Sequence, residues 1–329
     1  MIITRTPLRL PLGGGGTDLP PYYRRYGGHL VTAAIDKYVY ILVNRRFGGD
    51  IRVSYSKTEI VPSVNDVEHP LVREALRFVK LDGGLEIVSV ADMPANTGLG
   101  SSGSFTVGLL HALHVFKREH LPPRELAEEA FHIEAEILGE PTGKQDQYIA
   151  ALGGICAMEI DRSGRVAIEN LPTSHALAQD LENSVLMFYT GIQRKASEIL
   201  SGQGAAIAVG ERAITESLNL IKGLGYQVRE ALQQQDLSSF GEIMHRHWLA
   251  KKEMSEKISA EQINNWYDIA RENGARGGKI VGAGGGGFLM LHCGTVDNKS
   301  RLRQVMAQQG LPEMPYHIDF EGSKVMINF

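Results

Sequence analysis

Pro94-Ala95-Asn96-Thr97-Gly98-Leu99-Gly100-Ser101-Ser102-Gly103-Ser104 runs directly into the apolar segment Phe105–Phe116. A glycine- and serine-rich turn that opens a helix has the makings of a phosphate cradle. Glycines let the backbone approach a ligand, successive amides can point inward, and the helix N-terminus adds partial positive charge. Serine hydroxyls supply further donors or a Mg²⁺ ligand. The spacing Gly98-x-Gly100-x-x-Gly103 also fits a dinucleotide fingerprint, but no second strand ending in an acidic residue follows the helix; Lys117–Pro123 and another helical pattern stand there instead. No Gly-Lys-Ser/Thr closes any glycine cluster, which excludes the Walker A loop. A phosphate loop of a third type is therefore favoured over a plain glycine turn.

The rest of the chain bounds what such a loop can serve. A chain of 329 residues, 43% hydrophobic, exceeds the size at which single cores usually divide, so two domains are expected. A formal net charge of -4 gives no basic footprint for nucleic acid, and no run of eighteen apolar residues points to a membrane. Cys156 and Cys293, far apart and outside any metal-ligand spacing, fit a reducing cytoplasm, and the N-terminus lacks the apolar core of a signal peptide. Glycine is enriched, at 37 residues, and much of the excess sits in Gly13–Gly16, Gly98–Gly103 and Gly282–Gly287. Each cluster is flanked by strand- or helix-like sequence, so three segments converging on one ligand is the economical reading.

Strand-like patterns lie at 2–10, 38–45, 50–55, 85–90, 154–160 and 166–171, and helical periodicity at 70–80, 103–117, 123–138 and 144–152. That order predicts an α+β fold, helices on a mixed sheet, without regular βαβ winding. After a strand at 184–189 the pattern turns to helices at 205–235, 237–258 and 260–273. Short strands follow at 279–282, 288–293, 316–320 and 324–328, with a helix at 298–309. Helices on one face of a small antiparallel sheet would satisfy this half, and the domains are set at 1–175 and 176–329.

Three further places carry candidate chemistry. In the strand leading to the first glycine cluster, Arg9 shares a face with Pro7 and Pro11, opposite Leu8, Leu10 and Leu12, and either projects into a cleft or is solvated; the prolines suggest an irregular or edge strand. Asp18, after Thr17, either binds a ligand or caps a turn. In the helix at 124–138, Glu134 falls on the apolar stripe of Leu126, Ala130, Ile133 and Ile137, so it needs a metal or an ion-pair partner. Asp146 falls in the first turn of the next helix, where a dipole role would suffice. The third cluster joins two short strands; it either closes over phosphates or braces the first cluster. His111, His114, His245 and His247 have no ligand set beside them and read as structural or solvated.

Taken in order, Thr6–Asp18, Pro94–Ser104 and Lys279–Phe288 resemble the motifs of the GHMP small-molecule kinases, the superfamily of galactokinase, homoserine kinase and mevalonate kinase. The resemblance covers essentially the whole chain. Thr6–Leu10 with Gly13–Pro20, Gly143–Gln147 and Tyr189–Ser197 look most like the D-glycero-D-manno-heptose 7-phosphate kinases, a branch with glycines where galactokinases have Gly-Glu-His before Thr-Asp. It implies an N-terminal domain similar to ribosomal protein S5 domain 2 and a ferredoxin-like C-terminal GHMP domain, with ATP between them. The activity implied is transfer from ATP, with Mg²⁺, to the anomeric hydroxyl of a heptose 7-phosphate, for nucleotide-heptose and surface polysaccharide synthesis. Another sugar such as fucose, or a ligand sensor without turnover, are the alternatives.

Residue by residue, the resemblance makes Asp146 the base or anchor of the acceptor hydroxyl and Arg9 its basic partner. Ser102 and Glu134 become Mg²⁺ ligands, Glu134 and Asp146 keeping the family's spacing of twelve. Pro94, Gly98, Leu99, Gly100, Ser101, Ser102, Gly103 and Ser104 hold ATP; Gly15, Gly16, Thr17, Asp18, Gly284 and Gly285 hold the substrate. A phosphorylated sugar needs extra cations, and of Arg24, Arg25, Lys144, Arg194 and Lys195 the last two are preferred, because a basic pair after a strand end would stand at a cleft edge. The partners implied are ATP and a small sugar phosphate, with no nucleic acid or membrane; a homodimer is one option for the assembly.

Overall fold

Strand-forming residues crowd the first 45 positions, and they become two long antiparallel strands around which the first half assembles. The computed structural model describes residues 1–171, 175–255 and 258–329. In chain order the elements are β1 (Ile2–Gly13), α1 (Pro20–Tyr26), β2 (Gly28–Arg45), β3 (Ile51–Ser54), β4 (Thr58–Val61), α2 (Pro70–Val79), β5 (Leu85–Ala91), α3 (Ser101–Phe116), α4 (Pro123–Phe131), α5 (Gln145–Leu152), β6 (Ile155–Ile160) and β7 (Val166–Asn170). Then come α6 (His175–Ser184), β8 (Val185–Tyr189), α7 (Ala196–Val209), α8 (Arg212–Gln233), α9 (Leu237–Lys252), α10 (Glu261–Glu272), β9 (Ala275–Ile280), β10 (Phe288–Cys293), α11 (Val296–Gln308) and β11 (Lys324–Asn328).

The large sheet is mixed, in the order β11-β1-β2-β5-β3-β4, with β6 on β2 and β7 on β6. β2 pairs β1 along one edge and shares the other between β6 and β5. β11 covers only Ile2–Arg5, so Pro7 and Pro11 sit where β1 has lost its outer neighbour, and the register slips beside each. A residue without an N–H is tolerated there. Leu8, Leu10 and Leu12 point into the core, which sends Arg9 the other way.

The small sheet, β8-β10-β9, is antiparallel. β8 and β10 are largely apolar on both faces because each face meets a core. Val185, Met187 and Met290 join the core of the large sheet, whereas Leu186, Phe188, Leu289 and Leu291 join the helical core containing Trp248, Ile263 and Leu302.

Several sequence expectations need correction. The strand at 324–328 leaves the second half and pairs β1, and 316–320 forms only an isolated bridge from Ile318 to Ile35. The helix at 205–235 is two, α7 and α8, parted at Gly210, whose φ of 78° ends α7 in the left-handed region. α9 stops at Lys252, and residues 256 and 257 of the expected 237–258 helix lie outside the described residues. The helix at 123–138 becomes π-helical over His132–Ile137, which rotates Ile137 out of the expected stripe to 43% exposure. The half of β2 before residue 38, β4, α1 and α6 were not expected.

Candidate active site

Asp146 lies in the first turn of α5, and Arg9 reaches it from β1. The guanidinium donates through Nε to Oδ1 at 2.7 Å and through Nη2 to Oδ2 at 3.0 Å, a bidentate pair whose arginine side chain is 8% exposed. The third nitrogen of the fork, Nη1, donates to the Gly98 carbonyl, and the Arg9 amide donates to the Leu99 carbonyl at 3.0 Å. The glycine loop is therefore fastened to the strand that carries the arginine. A Cβ at Gly100 would lie 3.1 Å from both Arg9 Cγ and Asp146 Cγ, and one at Gly103 would lie 2.7 Å from Asp146 Cβ. Those two glycines make room for the ion pair itself, placing it against the N-terminus of α3.

The other glycine clusters close on the same place. A Cβ on Gly98, at φ +81°, would meet the Val281 carbonyl at 2.5 Å, and one on Gly287 would meet the Thr97 carbonyl at 2.2 Å. The third cluster thus braces the second, with Gly287 N donating to Ile192 and Gly285 N to Ile258, both at 2.7 Å. Gly15 and Gly16 of the first cluster share a cleft with Gly282 and Ala283 of the third, and with Arg9, Asp18, Gln145 and Asp146.

Asp18 holds two segments together. Its carboxylate accepts from the Gly16 amide at 3.1 Å and the Gln145 amide at 3.0 Å, so it caps α5 from a remote loop. Burial pushes its pKa up, against the backbone donors that pull it down. Gly143 is required beside it, since a Cβ there would lie 2.0 Å from Oδ2.

Glu134 is buried at the π-helical turn, a geometry that places its carboxylate beside Ser102. Ser102 Oγ donates to Oε2 at 2.6 Å and Gln147 Nε2 to Oε1 at 3.1 Å. Desolvation raises its pKa to about 7, more than those donors lower it. A hydroxyl and a carboxylate oxygen side by side where the glycine loop opens α3 suit Mg²⁺, which takes one or two protein oxygens and completes its octahedron with water or phosphate oxygens. Among the described residues there is no group of three His, Cys, Asp or Glu able to hold a metal without such help.

Not every expected residue faces the cleft. Thr17 is fully buried, its hydroxyl donating to the Gly14 and His29 carbonyls and accepting from the His29 amide. Ser104 donates to the Pro7 carbonyl at 2.7 Å, and Leu99 is in the core. Pro94 borders a separate apolar hollow with Met93, Tyr189 and Phe288. Gly284 and Gly285 pack on Ile258, one and two residues beyond the cleft wall. Ser101 is half-buried and Ser102 exposed at the start of α3, where the first amides have no intrahelical partner. Arg194 and Lys195 are exposed before α7 and do not line the cleft. Of the other cations, Lys144 is held by Glu128 at 2.7 Å and Arg25 by the Ile207 and Ala208 carbonyls.

The cleft instead contains Lys251 from α9 and Lys279 from β9, to which the sequence reading gave no role, and His247 from α9, which that reading made structural or solvated and which lines the cleft wall. Burial lowers Lys251 to about 7 and Lys279 well below its ordinary value, with Arg9 nearby adding to both, and it lowers His247 as well. The only sequence signal for His247 and Lys251 is their spacing, four apart on one helix face. The other histidines behave as expected, His114 between Glu119 and Glu129, His111 on Ser323 and His245 on Tyr267.

Comparison with known proteins adds to this geometry. Residues 70–154 match the family of GHMP kinases N terminal domain, and 228–310 the family of GHMP kinases C terminal. A D-glycero-alpha-D-manno-heptose 7-phosphate kinase of Campylobacter jejuni is 30% identical, over 98% of this chain and 97% of its own. The crystal structure of a D-glycero-D-manno-heptose 1-phosphate kinase from Bacteroides thetaiotaomicron superposes with a TM-score of 0.82 over all of both chains, at 26% identity. Galactokinase of Lactococcus lactis, complexed with galactose, shares the fold with a TM-score of 0.77 at 17% identity, covering 99% of this chain and 94% of its own.

Proposed function

The chain belongs to the GHMP kinase family and is an ATP-dependent sugar kinase, and on that premise we propose that it phosphorylates the anomeric hydroxyl of D-glycero-D-manno-heptose 7-phosphate to the 1,7-bisphosphate. The full-length likeness to a heptose 7-phosphate kinase supports the sugar. The observation that carries the chemistry is the Arg9–Asp146 pair, set in the cleft against the start of α3. The division at residues 175 and 176 is proposed with it, supported by one sheet on each side, although β11 crosses back.

Phosphoryl transfer asks for an in-line hydroxyl and neutralised phosphoryl charge more than for covalent help. Asp146, fixed by two hydrogen bonds from Arg9, presents a carboxylate edge that orients the hydroxyl and takes its proton late. Arg9, held at Gly98, stands where the transferred group passes. The free amides of α3 and of the loop hold the β- and γ-phosphates. Ser102 and Glu134 would hold Mg²⁺, which would neutralise charge on the transferred phosphate. Gly15, Gly16 and Asp18 would bound the sugar.

The test is ADP release with heptose 7-phosphate, mannose, fucose and galactose, with the product's phosphate located by NMR. Turnover with the heptose phosphate at least about tenfold above the others, and a C1 phosphate, is expected. Preference for fucose, or binding without ADP release with every sugar, overturns the reading.

A further inference from the structure

The cleft holds more basic side chains than the transfer point uses. His247 and Lys251 lie four residues apart on α9, and Lys279 comes from β9, yet all three border the chamber lined by Gly16, Asp18 and Gln145. They are 2%, 8% and 2% exposed. Among the described residues none has a carboxylate partner: Lys251 Nζ donates to the Gly282 carbonyl, Lys279 Nζ donates to the Leu12 carbonyl at 3.3 Å, and both ring nitrogens of His247 are without a partner. The acids of the chamber are taken, Asp146 by Arg9 and Asp18 by two backbone amides. Keeping an amine protonated and unpaired in a buried site costs several kcal/mol, a cost that an incoming anion relieves. A fold that keeps two lysine amines beside a cleft with no carboxylate partner is built to receive an anion there.

Which anion is settled by what shares the wall. The nucleotide side is marked by Ser101, Ser102 and Glu134, and none of these borders the chamber, whereas the first glycine cluster and Asp18 do. We propose that Lys251, Lys279 and His247 form the subsite for the phosphate already carried by the sugar acceptor, making this kinase selective for phosphosugars over free sugars. The inference rests on the sugar-phosphate reading above and replaces Arg194 and Lys195 as the cations of that phosphate. A phosphate monoester carries nearly two negative charges and three acceptor oxygens, enough for all three donors at once.

The experiment compares wild type, Lys251→Met, Lys279→Met and Lys251→Arg. ADP release is followed with heptose 7-phosphate and with the unphosphorylated heptose, and thermal protection by inorganic phosphate is measured with the nucleotide site saturated by ADP. Each Met variant is expected to lose about 10- to 100-fold in kcat/KM on the phosphosugar through KM, the worth of a charged hydrogen bond, while the free sugar and the KM for ATP change less than about threefold. Lys251→Arg should keep much of the preference for the phosphosugar. Phosphate should protect wild type and not the Met variants. Equal losses on both sugars, or a loss expressed in the KM for ATP, overturn the proposal and assign the lysines to the transferred phosphoryl group. If heptose 7-phosphate proves a poor substrate while phosphate protection still vanishes in Lys251→Met, the sugar assignment fails and the anion subsite stands; unchanged protection removes the subsite whatever the sugar.

Discussion

Replacing Asp146 with Asn separates the chemistry of the site from its architecture. The carboxylate receives two guanidinium hydrogen bonds, at 2.7 and 3.0 Å, and is 23% exposed while its partner is 8% exposed. Asn keeps the volume and one acceptor but turns an amide toward the arginine fork and leaves that charge uncompensated. Breaking a fully buried pair costs roughly 3–5 kcal/mol, and partial solvent access here brings this to about 2. In a chain of this size that lowers Tm by about 4 °C or less. Starting from at least about 5 kcal/mol of stability, the unfolded fraction at 25 °C then stays at about 1% or below, which cannot reduce turnover measurably. Loss of the group that orients and deprotonates the hydroxyl should instead cost about 10²- to 10⁴-fold in kcat. Coupled ADP-release kinetics, nucleotide titration and thermal denaturation on the same preparation separate these quantities. A kcat within threefold of wild type would refute the role of Asp146, and a parallel loss of ATP binding would make the residue architectural.

The other expectations follow from single contacts. Lys251 titrates near 7 in the fold and near 10.5 when unfolded, so between those values the unfolded chain binds more protons and stability rises with pH, by up to about 1.4 kcal/mol per pH unit. Lys279, His247 and Arg9 face it, and Lys279 acts in the same direction. Denaturant melts in phosphate-free buffer should show this slope, and Lys251→Met should flatten it. Gly98→Ala forces an L side chain to φ +81° and 2.5 Å from the Val281 carbonyl, so a loss of about 2 kcal/mol and a raised KM for ATP are expected; unaltered melting would show that the brace between the glycine clusters is unimportant. Glu134→Gln should raise the Mg²⁺ concentration for half-maximal rate by at least about tenfold, read from a metal titration at saturating ATP, and an unchanged midpoint would remove Glu134 from the metal.

The glycine turn and the helix after it were legible because their signal is local: Gly98 and Gly100, both in the left-handed region, stand close together, and the helix they open is apolar. What they approach was not legible. Gly100 and Gly103 read as space for a ligand, and their missing Cβ atoms in fact clear Arg9 and Asp146. Alternation identified 324–328 as a strand but carried nothing about its partner, which lies more than 300 residues upstream in β1. The first half of β2 escaped notice because Leu30, Val31, Ala33, Ala34 and Ile35 are buried on both faces and do not alternate. Glu134 was singled out by its helical phase, and the π turn that exposes Ile137 leaves that carboxylate facing Ser102.

Lys251 and Lys279 show why charge in a cleft resists reading from sequence. Lys251 stands in the last turn of α9 beside Lys252, where a cation complements the helix dipole and asks for no further explanation. Lys279 stands between two glycines and an isoleucine in a strand that could equally have been an exposed edge. Only the packing of α9 on β9 turns both inward, and only the prior pairing of Arg9 with Asp146 leaves them without a counter-ion. An uncharged sugar needs a chamber of mixed donors and acceptors, and net positive charge there would add desolvation cost without a matching interaction. A dianionic acceptor reverses that balance, because its charge raises the lysines' proton affinity and pairs the ammonium groups so formed. The proposed acceptor class rests on this mismatch between the basic and acidic groups of the chamber, a property that no single motif contains.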